Sequence, residues 1–310
     1  MYDNIRLNVA ITSDNHLDIN AKNNKQRIKT IKKALKDIQK SSNPMDAYMT
    51  VGDTTSRGIT ENWECVRTAF DGVKPAKEII FTLGNHDTWD ESKHLGYDNA
   101  INNYYKYSKE ICSQNINNPY FTRTINGYKF IFLGSTRVPD DEDCAALGDE
   151  QLSWLENELK DAGNKPTFIF CHQSINNNHG LPKTWEENEH DWEPEIGGIG
   201  RESDKVREII TKHKNIYYFS GHSHMGLCGE NSYQKNGYAS FEKHDGVNYI
   251  NLPCLTRYNH HGETEKTGIG YLLEVYDSKV VIRPRNFTKH KMNRKIIIKN
   301  GKPYYEEAVK

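Results

Sequence analysis

Leu7 to Ser13 is a short apolar run centred on Val9, Ala10 and Ile11, and it breaks off into the polar cluster Asp14-Asn15-His16. A run of that length bounded by turn residues reads as a buried strand feeding a loop. The same change of pattern returns twice. A helix is predicted over Asn24 to Lys40, then a strand over Ala47 to Val51 that stops at Gly52-Asp53. A helical stretch around Glu61 to Phe70 precedes a third strand, Glu78 to Leu83, which stops at Gly84-Asn85-His86-Asp87. Strand and helix in alternation predict a parallel sheet with helical crossovers, and in such sheets the loops at the carboxyl ends of the strands converge. The polar clusters are therefore expected to meet in space.

The second half adds antiparallel pairs. Phe121 to Ile125 and Tyr128 to Leu133 flank Asn126-Gly127, a strong short-range hairpin signal, and Asp245-Gly246 plays the same part between Phe241 and Asn251. Leu152, Leu155 and Leu159 recur at helical spacing within Asp149 to Asp161, ahead of a strand over Thr167 to Cys171 that delivers His172. A last helix, Asp204 to His213, precedes the strand Ile216 to Ser220, which delivers Gly221-His222-Ser223-His224. Residues 173–200 break this rhythm and read as an insertion over the site, since a loop that long is usually functional. No repeat or linker divides the chain, so the expectation is one domain over 1–285 with a basic tail over 286–310 packed on it or extending it.

Composition changes this picture little. Hydrophobic residues are 35% of the 310, but 18 Tyr, 10 Phe and 5 Trp supply bulky apolar surface for a core. With 41 Lys+Arg against 42 Asp+Glu the formal charge is -1, which argues against a general nucleic-acid binder. The cationic run Arg283, Arg285, Lys289, Lys291, Arg294 and Lys295 reads as a solvated face ahead of a phosphate-binding one. The six cysteines are scattered without a C-x-x-C pair, as in a reduced chain. No run approaches the ~18 apolar residues that span a bilayer, and Met1 to Asn20 lacks the apolar core of a signal peptide. The expected location is the cytoplasm, with no membrane partner; nothing in the chain signals an oligomeric state.

The chemistry lies in the loops after the strands: Asp14-x-His16, Gly52-Asp53, Gly84-Asn85-His86-Asp87, His172 and Gly221-His222-x-His224. Each offers oxygen or imidazole donors, the makings of two adjacent metal sites, and carboxylate with imidazole suits Mn, Fe, Zn or Ni. Residues two apart in an extended segment point the same way, so Asp14 with His16, and His222 with His224, are expected to reach one side together. Gly52, Gly84 and Gly221 fall where a Cβ would crowd the backbone or a positive φ is required. Other catalytic motifs are lacking: Met225 stands where G-x-S-x-G needs its last glycine, Pro303 follows Gly301-Lys302, and no H-E-x-x-H occurs.

These blocks, in this order, resemble the calcineurin-like metallophosphoesterase superfamily, whose pattern runs D-x-H, G-D, G-N-H-D/E, H and G-H-x-H. The resemblance covers about Asp14 to His224 and implies an α/β fold, a four-layer α/β/β/α sandwich of two mixed sheets. It further implies that Asp14, His16 and His224 hold one metal, that Asn85, His172 and His222 hold the other, and that Asp53 bridges them. The cofactors expected are two divalent or mixed-valence transition-metal ions, Mn, Fe or Zn. His86 is implied as a general acid beside the substrate phosphate, with Asp87 orienting or tuning it. Arg57, in Gly52-Asp53-Thr54-Thr55-Ser56-Arg57-Gly58, resembles a phosphate-contacting arginine of the phosphoprotein phosphatase branch; an ion pair is the equal reading.

The implied function is hydrolysis of a small-molecule phosphoester by a hydroxide formed between the two metals. The opening D-N-H-L and the modest size are most similar to the bacterial cyclic-nucleotide and glycerophosphodiester phosphodiesterase branch. Phosphomonoesterase, nuclease and non-catalytic scaffold are the alternatives. Residues outside the blocks read more plainly. His94, His213, His244 and His290 are ordinary surface or capping residues; His179 and His190 are open. Asn259-His260-His261 reads equally as pocket lining or polar turn. Cys171 and Cys228 read as buried apolar residues. Trp185 and Trp192 read as anchors of the long loop, with stacking on a base or sugar as the alternative.

Overall fold

The structure is a computed structural model that describes residues 4–90, 96–139, 141–185, 197–262, 267–292, 294–299 and 302–307. Residues 186–196 of the expected insertion, with His190, Asp191 and Trp192, lie outside the described residues, as does His94. The chain alternates strand and helix through β1 (Ile5–Thr12), α1 (Asn24–Gln39), β2 (Met45–Val51), α2 (Thr60–Phe70), β3 (Ala76–Thr82) and α3 (Tyr97–Cys112). The hairpin β4 (Phe121–Ile125) and β5 (Tyr128–Phe132) leads to α4 (Gly148–Lys160), β6 (Thr167–Phe170), α5 (Ser203–Thr211) and β7 (Ile216–Ser220). After α6 (Glu230–Asn236) come β8 (Phe241–His244), β9 (Val247–Asn251), β10 (Ile269–Tyr276) and β11 (Val280–Asn286). The chain ends in β12 (Lys291–Met292), β13 (Arg294–Lys299) and β14 (Lys302–Glu307).

The strands form two mixed sheets, ordered β14-β13-β11-β10-β1-β2-β3, with β12 paired to β11, and β4-β5-β6-β7-β9-β8. The parallel runs are β1-β2-β3 in the first and β5-β6-β7-β9 in the second. Both predicted hairpins form. Their Asn126-Gly127 and Asp245-Gly246 turns have φ of 50° and 78°, and 50° and 82°, the left-handed pairs that match the twist of the flanking strands.

Alternation along each strand builds the layers. Val9, Ile11, Met49 and Val51 face inward onto Phe130, Phe132, Phe168, Phe170 and Phe219 of the second sheet. Phe170 stacks on Phe132 at 5.2 Å and on Phe219 at 4.9 Å, so the second sheet meets the first with a row of aromatic rings. Ala10, Tyr48 and Phe81 face outward beneath α1, α2 and α3. On the far side Ile131, Ile169 and Tyr218 meet Leu152, Leu155 and Leu159 of α4 and Val206 and Ile210 of α5. The result is the α/β/β/α sandwich.

Within β11 two arginines are tied to acids. Arg283 pairs with Glu274 at 2.9 Å, while the forked Arg285 guanidinium donates to both Asp37 oxygens at 2.6 and 2.9 Å. His290 joins the same carboxylate. Residues 294–299 then pair with β11 and extend the first sheet.

Candidate metal centre

The loops after β1, β2, β3, β6 and β7 do converge, and backbone hydrogen bonds lock them together. Asp14 N donates to Gly52 O at 3.2 Å, His16 N to Asp53 O at 2.8 Å and Gly221 N to His172 O at 2.9 Å. The extended arrangement expected for the two-residue spacings is not what the loops adopt. Asp14 (φ 56°), His16 (44°), Asp53 (47°), His222 (70°) and His224 (45°) are all left-handed, a region that Asp and His visit more readily than most residues. Such backbone costs on the order of 1–3 kcal/mol per residue, and it persists here because the surrounding ladder over-determines it. Gly52 answers to both glycine readings: its φ is 76°, and a Cβ there would collide with the His172 ring. Gly84 and Gly221 answer only to close approach, to Asp53 and to Ser13 with Asp14.

Seven side chains reach one buried hollow. Asp14, His16 and His224 bring donor atoms together, as do Asp53, His172 and His222, and as do His16, Asp53 and His86. His16 Nε2 and His224 Nε2 approach to 2.8 Å, a separation at which two ring nitrogens share one proton or one cation. Asp14 Oδ1 lies 3.3 Å from His224 Nε2 and 3.7 Å from His16 Nε2. Asp53 Oδ2 lies 3.5 Å from His16 Nε2 and 3.1 Å from His172 Nε2, so one oxygen addresses both groups of donors.

The hydrogen bonds that these residues do make turn their free donor atoms inward. His172 Nδ1 donates to Val51 O at 2.7 Å, leaving the Nε2 lone pair for a cation. Asn85 Nδ2 donates to Glu142 O at 3.2 Å and Asp143 Oδ1 at 3.5 Å, which orients the amide and leaves Oδ1 over. Asp14 Oδ1, Asn85 Oδ1, His172 Nε2 and His222 Nε2 are buried with no hydrogen-bond partner. Orphaned buried donors of this kind are expensive unless something else meets them, and a divalent cation does. The residues present fit metal.

Burial pushes the Asp14 and Asp53 carboxyls up, but the neighbouring histidines outweigh it and hold both below the usual range. Burial pulls the imidazoles down. It takes His16 to about 3 and His222 well below its ordinary value, while at His172 the Asp53 and Asp14 carboxylates overcome it and raise the ring to about 9. The ionised carboxylates and the neutral His16 and His222 are in the protonation states that ligate metal, while at His172 a cation would have to displace the proton that the two carboxylates hold there.

The calcineurin-like phosphoesterase family model matches residues 7–226 of this sequence. The chain belongs to that family. Among relatives of this chain is the glycerophosphodiester phosphodiesterase GpdQ of Enterobacter lignolyticus, 27% identical over 130 residues. That match covers 41% of each chain, less than half the relative's length. Purple acid phosphatase PPD1 from yellow lupin seeds superposes with a TM-score of 0.63 at 13% identity, over 94% of this chain and 53% of its own. PhoD also gives 0.63 at 13% identity, over 98% and 72%. Both likenesses concern the fold.

His86 stands at the open side of the hollow, its side chain 22% exposed and its Nε2 4.0 Å from Asp53 Oδ2. Its backbone N donates to Asp53 Oδ1 at 3.0 Å, its Nδ1 faces Ser56 O at 3.0 Å, and its ring lies 3.9 Å from that of Trp89. Asp87, expected beside the imidazole, instead accepts hydrogen bonds from Thr54 N, Thr55 N, Thr55 Oγ1 and Gly84 N. Burial and the Asp53 carboxylate push it up to about 7 in spite of them. Arg57 adopts its ion-pair reading, with Nη2 3.4 Å from Asp18 Oδ1.

Other neighbours carried no motif. Arg27 Nη1 donates to His16 O. Asn251 Nδ2 donates to Gly221 O at 2.9 Å and its Oδ1 accepts from Ser223 Oγ at 3.3 Å, bracing both sides of His222. His260 N donates to His224 O at 2.8 Å, so the Asn259-His260-His261 segment runs alongside a ligand loop. Cys171 and Cys228 are buried, as expected. No helix among the described residues is long and apolar enough to cross a membrane.

Proposed function

We propose that this calcineurin-like phosphoesterase is a dinuclear metal enzyme that hydrolyses phosphodiesters. The observation that carries the reading is the place of Asp53, whose Oδ2 stands between His16 of one donor group and His172 of the other. Asp14, His16 and His224 would hold one cation, Asn85, His172 and His222 the second, and Asp53 both. Imidazole, carboxylate and amide donors without thiolate suit Mn, Fe or Zn. Two such ions supply Lewis acidity for a phosphoryl oxygen and lower the pKa of a water.

The chain's own residues do the rest. With Nδ1 held by the Ser56 carbonyl, His86 keeps Nε2 for the proton that must reach the departing alkoxide oxygen. The Arg57 guanidinium, which holds Asp18 at 3.4 Å, would have to share that ion pair to add a forked contact to the phosphate. Asp87 ties the Asp53 and Asn85 loops together and so spaces the donors. The match to a glycerophosphodiester phosphodiesterase favours diesters over monoesters. Against a nuclease, Arg283 and Arg285 are already engaged by Glu274 and Asp37. We assign the enzyme to the cytoplasm, where its free cysteines stay reduced.

Metal analysis joined to a substrate pair tests this. Protein supplied in turn with Mn, Fe, Co and Zn should retain close to two ions per chain and cleave bis-p-nitrophenyl phosphate with a higher kcat/KM than p-nitrophenyl phosphate. Preference for the monoester would make it a phosphomonoesterase. A fully loaded chain that cleaves neither ester, or an Asp53→Asn variant that keeps both its ions and its rate, would overturn the reading.

A further inference from the structure

Trp185 lies in the segment that departs from the strand-helix rhythm, yet its indole ring sits 4.4 Å from the His222 ring at an interplanar angle of 33°. It is only 5% exposed. The segment comes back to the same place: a Cβ on Gly197 would fall 2.6 Å from Trp185 Cε3, and the φ of 74° there also favours glycine. Leu181 packs at the same point, 3.0 Å from that Cβ position. Ser174 and Gly198 pair as an isolated bridge, which closes the base of the segment. Trp185 and Gly197 thus meet beside His222, which also faces the His172 ring at 5.0 Å and Asp14 Oδ2, which accepts from His222 N at 3.2 Å.

We infer that Trp185 is a positioning residue for His222, a planar wall that fixes the imidazole's orientation and keeps water from competing for its Nε2. The inference rests on the dinuclear reading and adds to it a device supplied by the inserted segment. His222 Nε2 is buried without a hydrogen-bond partner, so no hydrogen bond at that nitrogen sets the ring plane; the indole face does. Ring apposition needs an aromatic surface and not an indole N–H, and the Trp185 Nε1 is itself buried with no partner. Loss of an outer partner of a metal ligand typically costs ~10–100-fold in affinity, and here it would fall on one of the two sites only.

The test is a titration of the metal-stripped 310-residue chain with Mn2+, read by calorimetry and by indole emission. The wild type should show two calorimetric events, both of which quench indole emission, because Trp89 lies 3.9 Å from the His86 ring and Trp185 lies 4.4 Å from the His222 ring. Trp185→Ala should weaken the event at the His222 site ~10-fold or more and leave the other in place. Trp185→Phe should restore the affinity while losing the Trp185 share of the quench, and Gly197→Ala, whose Cβ would press against the indole and displace it, should behave like Trp185→Ala. Two unchanged events in both alanine variants, or equal weakening of both sites, would overturn the inference and leave the dinuclear reading standing. Failure of Trp185→Phe to restore the site would also overturn it. A wild type that binds no ion would remove both.

Discussion

At the scale of the residue, the proposed mechanism separates side chains that would hold charge from one that would move a proton. His86 is bound through its backbone N and its Nδ1, and its Nε2 is the ring atom left at the open side. His86→Ala should therefore keep close to two ions per chain while kcat on a diester falls ~10²–10⁴-fold, a contrast that metal analysis beside steady-state rates would reveal. Loss of the ions with the rate would instead make His86 a ligand. The donor residues were legible in the sequence because each follows an apolar run and sits in a short polar cluster. The backbone that aims them was not. Nothing in the letters Asp-x-His announces φ values of 56° and 44°; those depend on hydrogen bonds to the next strand's loop, a tertiary cause. The approach of Trp185 to His222 was equally hidden, since the two lie in loops whose meeting depends on the whole second sheet.

At the scale of the element, Asp87 is the link between the turns after β2 and β3. One carboxylate takes two backbone amides and a hydroxyl from Thr54 and Thr55, plus the Gly84 amide. Asp87→Asn would set an amide N–H against backbone N–H donors, and each buried group left unpaired costs ~1–3 kcal/mol. A lowered thermal midpoint together with weaker metal retention is the expected result; an unchanged midpoint would show that the turns hold without it. Elements with strong periodicity, such as α1 and α4, were legible from sequence within a residue or so. By contrast α3 was not. Its run Asn102-Asn103-Tyr104-Tyr105 has low helix propensity, and its stability comes from burial: Tyr104 donates to Phe81 O at 2.7 Å and Tyr107 stacks on Trp63 at 5.8 Å. The pairing of β10 beside β1 joins residues far apart in the chain, and local pattern cannot specify it.

At the scale of the whole molecule, the bond from Arg285 to Asp37 fastens β11 to α1 across most of the chain's length. Burial pushes the Asp37 carboxyl up, but Arg285 and His290 hold it below its ordinary value of 3.8. A carboxyl depressed in the folded state adds stability that is present above pH 3.8 and disappears as pH falls through the folded value. Arg285→Met should thus unfold more easily than wild type by ~1–3 kcal/mol near neutrality. The gap should close in acid, and a denaturant series at several pH values would follow it. Chelation acts on a larger join. Asp14, His16, Asp53 and Asn85 belong to loops of the first sheet, whereas His172, His222 and His224 belong to the second. Removing the ions should lower the thermal midpoint reversibly, since a ligand at a hundred times its Kd stabilises by about 2.7 kcal/mol. Neither half of the sandwich owns a complete cage, so the ions proposed here would work as rivets between two leaves. They could be taken up only after the leaves close, and they would be released together once the seam opens.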